Sequence, residues 1–283
     1  RAIGTTRQCN GFPEGQGMNW LVEPWTFQFM RWALLCCLVL VGIHVYLGFH
    51  IVRRGVLFVD LAMAQAAALG AAVGVVMGLE HDSIGEFVLM ALFALGSAAF
   101  FALARAQRVH KEALVATFYA LAIAATFVVL ERSPHGMEEV KHLLVGQVLT
   151  VPPNHVLATI PLYLVIGIAH GLMHRRTTAV SEGQPAKRGL DFFFYGTFAF
   201  VVTSSVGLVG VLLVFSYLVL PAVAGLLVTA HGTLRLIWGW SLATLASVLG
   251  LHIAFLTDMP AAPVIVLTLG ALMILSWIYV CLR

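Results

Sequence analysis

Charge is scarce in this sequence. Its 283 residues include 16 Lys and Arg and 13 Asp and Glu, 10% of the chain, against roughly 25% in ordinary soluble domains. With 60% apolar residues and a mean hydropathy of +0.96, this scarcity excludes a soluble enzyme, because so short a chain cannot bury that much apolar surface in its own core. Cysteine is also sparse. Cys9, Cys36, Cys37 and Cys281 have no CxxC spacing and three lie in apolar segments, so neither a disulfide framework nor a structural zinc site is expected. Catalytic motifs are missing too. Lys111, Lys141 and Lys187 are followed by Glu, His and Arg, which excludes a GxxxxGKS or GxxxxGKT phosphate loop; there is no G-x-S-x-G elbow and no H-E-x-x-H zinc helix. A net charge of +3 gives no support to a nucleic-acid surface.

What remains is apolar and long. Nine segments, at about 27–52, 56–79, 84–104, 113–130, 154–173, 191–206, 208–228, 236–256 and 262–281, suit crossings of roughly 20 residues each. The fold expected is an all-α polytopic membrane bundle of about eight to nine transmembrane helices, one domain over residues 18–283. Residues 1–17 are polar and Gly-rich; Met18 is read as the natural start and the extension as dispensable. Placing the amino terminus outside puts Arg53, Arg54, Arg105, Arg108, Lys111, Arg175, Arg176, Lys187, Arg188, Arg235 and Arg283 inside the cell, eleven of the sixteen cations. That matches the positive-inside rule for a plasma (inner) membrane protein with a cytoplasmic carboxyl terminus. The polar run 174–189 is expected to be a mobile cytoplasmic loop. The outer LLVGQVLTV (143–151) is apolar yet too short to cross, and is expected to pack on protein or line a cavity.

Several residues stand out chemically. Gly70, Gly74 and Gly78 recur every four residues in the second span, a small-residue strip that permits close helix approach. Asp60 and Gln65 occupy the same span, where a polar group at membrane depth has either a function or a structural partner; Arg53 and Arg54 are the nearest partners for Asp60. His44, His50, His170 and His252 fall inside apolar segments, where imidazole suits zinc-like metals. His170 and His174 share one helix face, and His252 precedes Asp258 by more than a turn. The runs EHD (80–82) and HGMEEVKH (135–142) place cation-attracting charge outside.

Three stretches, RRGVLFVDLAMAQAAALGAAVG (53–74), DFFFYGTFAFVVTSSVGLVGVLLVFSYLVLPAVAGLLV (191–228) and LGLHIAFLTDMPAAPVIVL (249–267), resemble the membrane permeases of zinc, manganese and iron uptake ABC transporters. LLVGQVLTVPPNHV (143–156) fits as a fourth. The most specific features are VGVLL…LxLPA, from Val209 through Ala222, and DxPxxP at Asp258, Pro260 and Pro263. The resemblance implies a non-enzymatic permease that pairs with a second copy, docks separate ATPase subunits and receives its ion from an extracytoplasmic metal-binding protein. The divalent metal, zinc or manganese, is then cargo, and no cofactor is held permanently. Many members carry Asp and, four residues later, His in the second span; aligned on Gly70 these positions are Leu61 and Gln65 here, with the acid at Asp60. Asp60, Gln65 and His252 are therefore the expected path residues, none a permanent ligand. ATPase docking is expected around Gly225 and Leu226, where the resemblance places a short helix. A proton-coupled secondary transporter using Asp60 and His252, and an intramembrane metalloenzyme, are the alternatives.

Overall fold

The computed structural model describes residues 19–56, 58–80, 83–103, 111–131, 145–184 and 188–282. The extension 1–17, His81, Asp82 and the run HGMEEVKH lie outside them. Ten α-helices and one 3-10 turn are present among the described residues, and no strand. They are α1 (Asn19–Thr26), α2 (Gln28–Arg53), α3 (Val59–Val76), α4 (Ile84–Leu103), α5 (Lys111–Leu130), the turn Val148–Thr150, α6 (Pro153–Leu172), α7 (His174–Ser181), α8 (Arg188–Val228), α9 (Gly232–Thr257) and α10 (Ala261–Leu282). Eight of the helices are long and apolar enough to span a bilayer. In lipid every backbone N–H and C=O must be bonded within the element, and an α-helix satisfies that requirement alone.

The 41-residue α8 is far longer than one crossing, and its contacts show how it is accommodated. At its start the Phe194 ring lies 6.1 Å from that of His50, at the end of α2. Near its finish, a Cβ on Gly225 would sit 2.7 Å from Phe49 Cζ, one residue away on α2. A straight helix would separate residues 194 and 225 by roughly 46 Å. The chain therefore doubles back, and the reversal falls at Gly210, whose φ of 78° and ψ of 164° are not helical. The two segments expected on either side of Gly207 are these two limbs, with the break three residues later. Counted with them, the chain runs nine times from one end of the bundle to the other.

The ends differ in charge. Arg53, Arg54, Arg175, Arg176 and Arg235 gather at one, the basic end; Glu80, Glu86, Glu131 and Asp258 mark the other, the acidic end. At the acidic end Gly146 and Gly210, both with positive φ, meet backbone to backbone. A Cβ on Gly210 would lie 2.5 Å from Gly146 N. Val148 and Val151 beyond are buried, so this short apolar piece packs on protein as expected. Along the small-residue strip, Gly70 lets α3 touch the backbone of Leu89 and Met90 on α4. Gly78 lies past the helix, in the left-handed conformation that terminates α3 through bonds from Gly78 N to Val75 O and Leu79 N to Gly74 O.

One expectation fails. Residues 174–181 form α7, not a mobile loop. Their polarity resembles a linker, but no Gly or Pro interrupts them before Gly183, and tertiary bonds hold them: Ser181 Oγ lies 2.9 Å from His50 Nδ1 and Glu182 pairs with Arg53 at 2.9 Å. His170, at the end of the preceding span that the sequence reading places in the cytoplasm, is buried, with Nε2 2.9 Å from Thr197 Oγ1.

Candidate translocation path and docking face

α3 is the most enclosed of the long helices, packed by α4, α5 and α8. Its ring of Ala and Gly allows that enclosure, since small side chains let backbones approach. Two polar residues are carried inside with it. Asp60 is 1% exposed and Gln65 is 2% exposed. Neither carboxylate oxygen of Asp60 has a hydrogen-bond partner, and Gln65 Nε2 has none either. The basic residues nearest in sequence are committed elsewhere: Arg53 to Glu182, and Arg54 to Asp191 at 3.2 Å, with its guanidinium 3.9 Å above the Phe194 ring. An unpaired buried polar group costs about 1–3 kcal/mol in proteins. Asp60 is therefore a buried carboxyl group without a side-chain partner.

His252 is distant from both. It sits near the acidic end of α9, its ring 5.9 Å from that of Trp20 and 6.2 Å from that of Trp25, and its Nε2 is buried without a partner. Asp60 begins α3 at the basic end and Gln65 lies roughly 7.5 Å further along the axis. The three residues are thus strung along the bundle and are not assembled into one site. Among the described residues no group of three or more His, Cys, Asp or Glu side chains could hold a metal ion.

A second buried polar system went unrecognised in the sequence. His44 Nδ1 donates to Leu40 O at 2.7 Å, and its Nε2 lies 2.9 Å from Ser205 Oγ. Ser205 in turn lies 2.7 Å from Tyr163 OH, and Tyr163 OH lies 3.1 Å from Ser204 Oγ. This chain ties α2, α6 and the first limb of α8 together. His44 was conspicuous in its apolar run; its side-chain partners Ser205 and Tyr163, more than 100 residues away, carried no local signal. At the basic end the Tyr46 ring lies 4.8 Å from His50, 5.8 Å from His170 and 6.4 Å from His174, joining α2 to α6 and α7.

The docking residues are placed unequally. Gly225 is buried: a Cβ there would lie 2.6 Å from Arg235 O as well as against Phe49. Leu226 is half-buried against the core. The short helix implied by the resemblance is absent, since the second limb continues to Val228 and α9 begins at Gly232. The intervening turn is closed by Arg235 Nε donating to Thr229 O at 2.7 Å. Around it Leu227, Ala230, His231, Gly232, Thr233 and Leu234 are exposed.

Comparison with known proteins agrees with this architecture. The chain is 19% identical over 262 residues to the manganese transport system membrane protein MntC of Listeria monocytogenes, covering 89% of this chain and 91% of that one. It matches the solved structure of PsaBC from Streptococcus pneumoniae in complex with Fab with a TM-score of 0.76 at 18% identity, over 92% of this chain and 94% of that one. An inward-facing structure assigned to the metal-chelate type of ABC transporter matches with a TM-score of 0.70 at 16% identity, over 91% and 90% of the two chains. The model of the ABC 3 transport family matches residues 26–280, nearly the whole described bundle, and the chain belongs to that family.

Proposed function

We propose that this protein is the permease subunit of an ATP-driven importer for a divalent metal ion, manganese or zinc. Two copies form the path, separate ATPase subunits dock at the basic end, and an extracytoplasmic binding protein delivers the ion at the acidic end. The basic end is read as cytoplasmic, in line with the positive-inside rule. Transport proceeds by alternating access. ATP binding in the partner subunits closes them together and shifts the helices they touch, while Gln65, Asp60 and His252 supply polar stops for the ion.

The observation that carries this reading is Asp60. A carboxyl side chain enclosed in the bundle, with both oxygens lacking a side-chain partner, is a costly polar group that a passing cation, binding in exchange for its proton, offsets. The test is uptake of radioactive manganese or zinc, supplied on the binding protein, into proteoliposomes holding the permease with its ATPase. Uptake should require ATP and survive collapse of the proton gradient. Uptake driven by a proton gradient without ATP would overturn the proposal in favour of a secondary transporter.

A further inference from the structure

The last turns of α2 touch several parts of the basic end at once. The buried Phe49 ring is wedged between the second limb of α8 and α9. A Cβ on Gly225 would lie 2.7 Å from its Cζ, and a Cβ on Gly239 would lie 3.4 Å from its Cε2. These are the two helices that the turn at 229–231 joins. One residue on, His50 Nδ1 lies 2.9 Å from Ser181 Oγ at the end of α7. Arg54, the C-cap of α2, reaches both α7 and the start of α8. Its Nε donates to Ser181 Oγ at 3.4 Å and its Nη1 to Asp191 Oδ1 at 3.2 Å, with the guanidinium 3.9 Å above the Phe194 ring. The chain then enters α3 with little slack. Gly55 N donates to Val52 O, Val56 N to Ile51 O and Val59 N to Val56 O, and Gly55 supplies the left-handed turn. Asp60 is the second residue of α3, so a displacement of the end of α2 carries the start of α3 with it.

Arg54 is an expensive way to hold a helix end. Its side chain is 6% exposed and its Nη2 is buried without a partner. A buried ion pair is seldom more stable than well-packed apolar residues of the same volume, and its best-attested use is to select one arrangement among several. Here it selects the position of the α2 end against α7 and α8. Arg53 beside it pairs with Glu182 at the surface, where such pairs contribute little. Coupling between distant sites is carried by packed side chains and ion pairs that have discrete arrangements, and Phe49, Arg54 and Asp191 form such a series. We infer that Arg54, held by Asp191, is a positioning residue for transport: it anchors the end of α2, so that movement of the turn at 229–231 against Phe49 is passed to α3 and Asp60. The inference rests on the ATP-driven cycle proposed above.

The experiment uses the full permease assembled with its ATPase, in proteoliposomes for uptake from the binding protein and in nanodiscs for labelling. Leu61→Cys, half-buried beside Asp60, carries the probe, with Cys9 and Cys281 replaced by Ser and the buried Cys36 and Cys37 kept. With native Arg54, the rate of maleimide modification at position 61 should differ between ADP and a non-hydrolysable ATP analogue. In Arg54→Gln and in Asp191→Asn that difference should vanish, and uptake per ATP hydrolysed should fall roughly tenfold, while the yield of assembled complex and its ATP hydrolysis persist. The double variant should be no worse than either single one, because both remove the same link. Arg53→Gln should leave both readouts unchanged. If Arg54→Gln fails to assemble, Asp191→Asn, on the more exposed side of the pair, decides alone. Equal modification rates in both nucleotide states with native Arg54, normal coupling in Asp191→Asn, additive losses in the double variant, or an equal defect in Arg53→Gln would each overturn the assignment. Uptake by the unsubstituted protein that needs no ATP would overturn the ATP-driven reading, and this inference with it.

Discussion

A substitution at Asp60 separates a working polar residue from a structural one. Its carboxyl group is enclosed without a side-chain partner, so Asp60→Asn removes the ionisable group while keeping the shape. The variant should stay within about 1 kcal/mol of wild type in stability, because one buried polar group replaces another, and its uptake per assembled complex should fall roughly tenfold, about 1.4 kcal/mol. Paired thermal melts and uptake measurements decide; a lower melting point with normal normalised uptake would make Asp60 structural. Gln65→Ala and His252→Ala are expected to lower normalised uptake as well, with insertion retained. Tyr163→Phe should behave in the opposite way. It breaks the link between Ser205 and Ser204 and should cost about 1 kcal/mol of stability with uptake unchanged, because this network joins helices and meets no ion in the proposed cycle.

At the scale of elements, the reversal in α8 rests on two glycines in contact. Gly210→Ala would place a methyl group against the Gly146 backbone in a conformation that L side chains rarely adopt. It should lower the yield of folded protein sharply, whereas Gly207→Ala, which points into open space, should stay within about 0.5 kcal/mol of wild type. Detergent-extracted yield and melting temperature measure both. This pair also marks how far the sequence could be read. Two apolar stretches separated near residue 207 were legible because a 38-residue run exceeds one bilayer crossing. Which glycine turns the chain was not, because the left-handed conformation is imposed by the packing of a distant segment at residue 146. Similarly, Asp60 and Gln65 stood out as polar residues in an apolar run, while α7 did not, because its polar residues are held by partners on α2. The docking region divides the same way. Gly225 is locked between Phe49 and Arg235, so a bulky charge there should disrupt folding. Leu234→Glu, on the exposed turn, should insert normally yet uncouple ATP hydrolysis from uptake.

For the whole molecule, nine passages between the two ends place the start of α2 and the end of α10 at opposite ends. Arg53, Arg54, Arg175, Arg176 and Arg235 share the end where α10 finishes, and the carboxylates Glu80, Glu131 and Asp258 share the other. In the proposed orientation the Arg-rich end is the one retained in the cytoplasm during insertion, and an ion delivered from outside would meet the acidic end first, where negative charge raises its local concentration. Orientation, ATPase docking and direction of transport are therefore linked through one charge asymmetry. The native thiols provide a direct check, because Cys281 is exposed near the end of α10 while Cys36 and Cys37 are buried. With Cys9 replaced by Ser, a membrane-impermeant maleimide should leave Cys281 unmodified in intact cells and modify it in inside-out vesicles. Leu21→Cys, on the exposed face of α1, should react in intact cells. Modification of Cys281 from outside would reverse the orientation, move the ATPase contact to the acidic end, and remove the electrostatic argument for import.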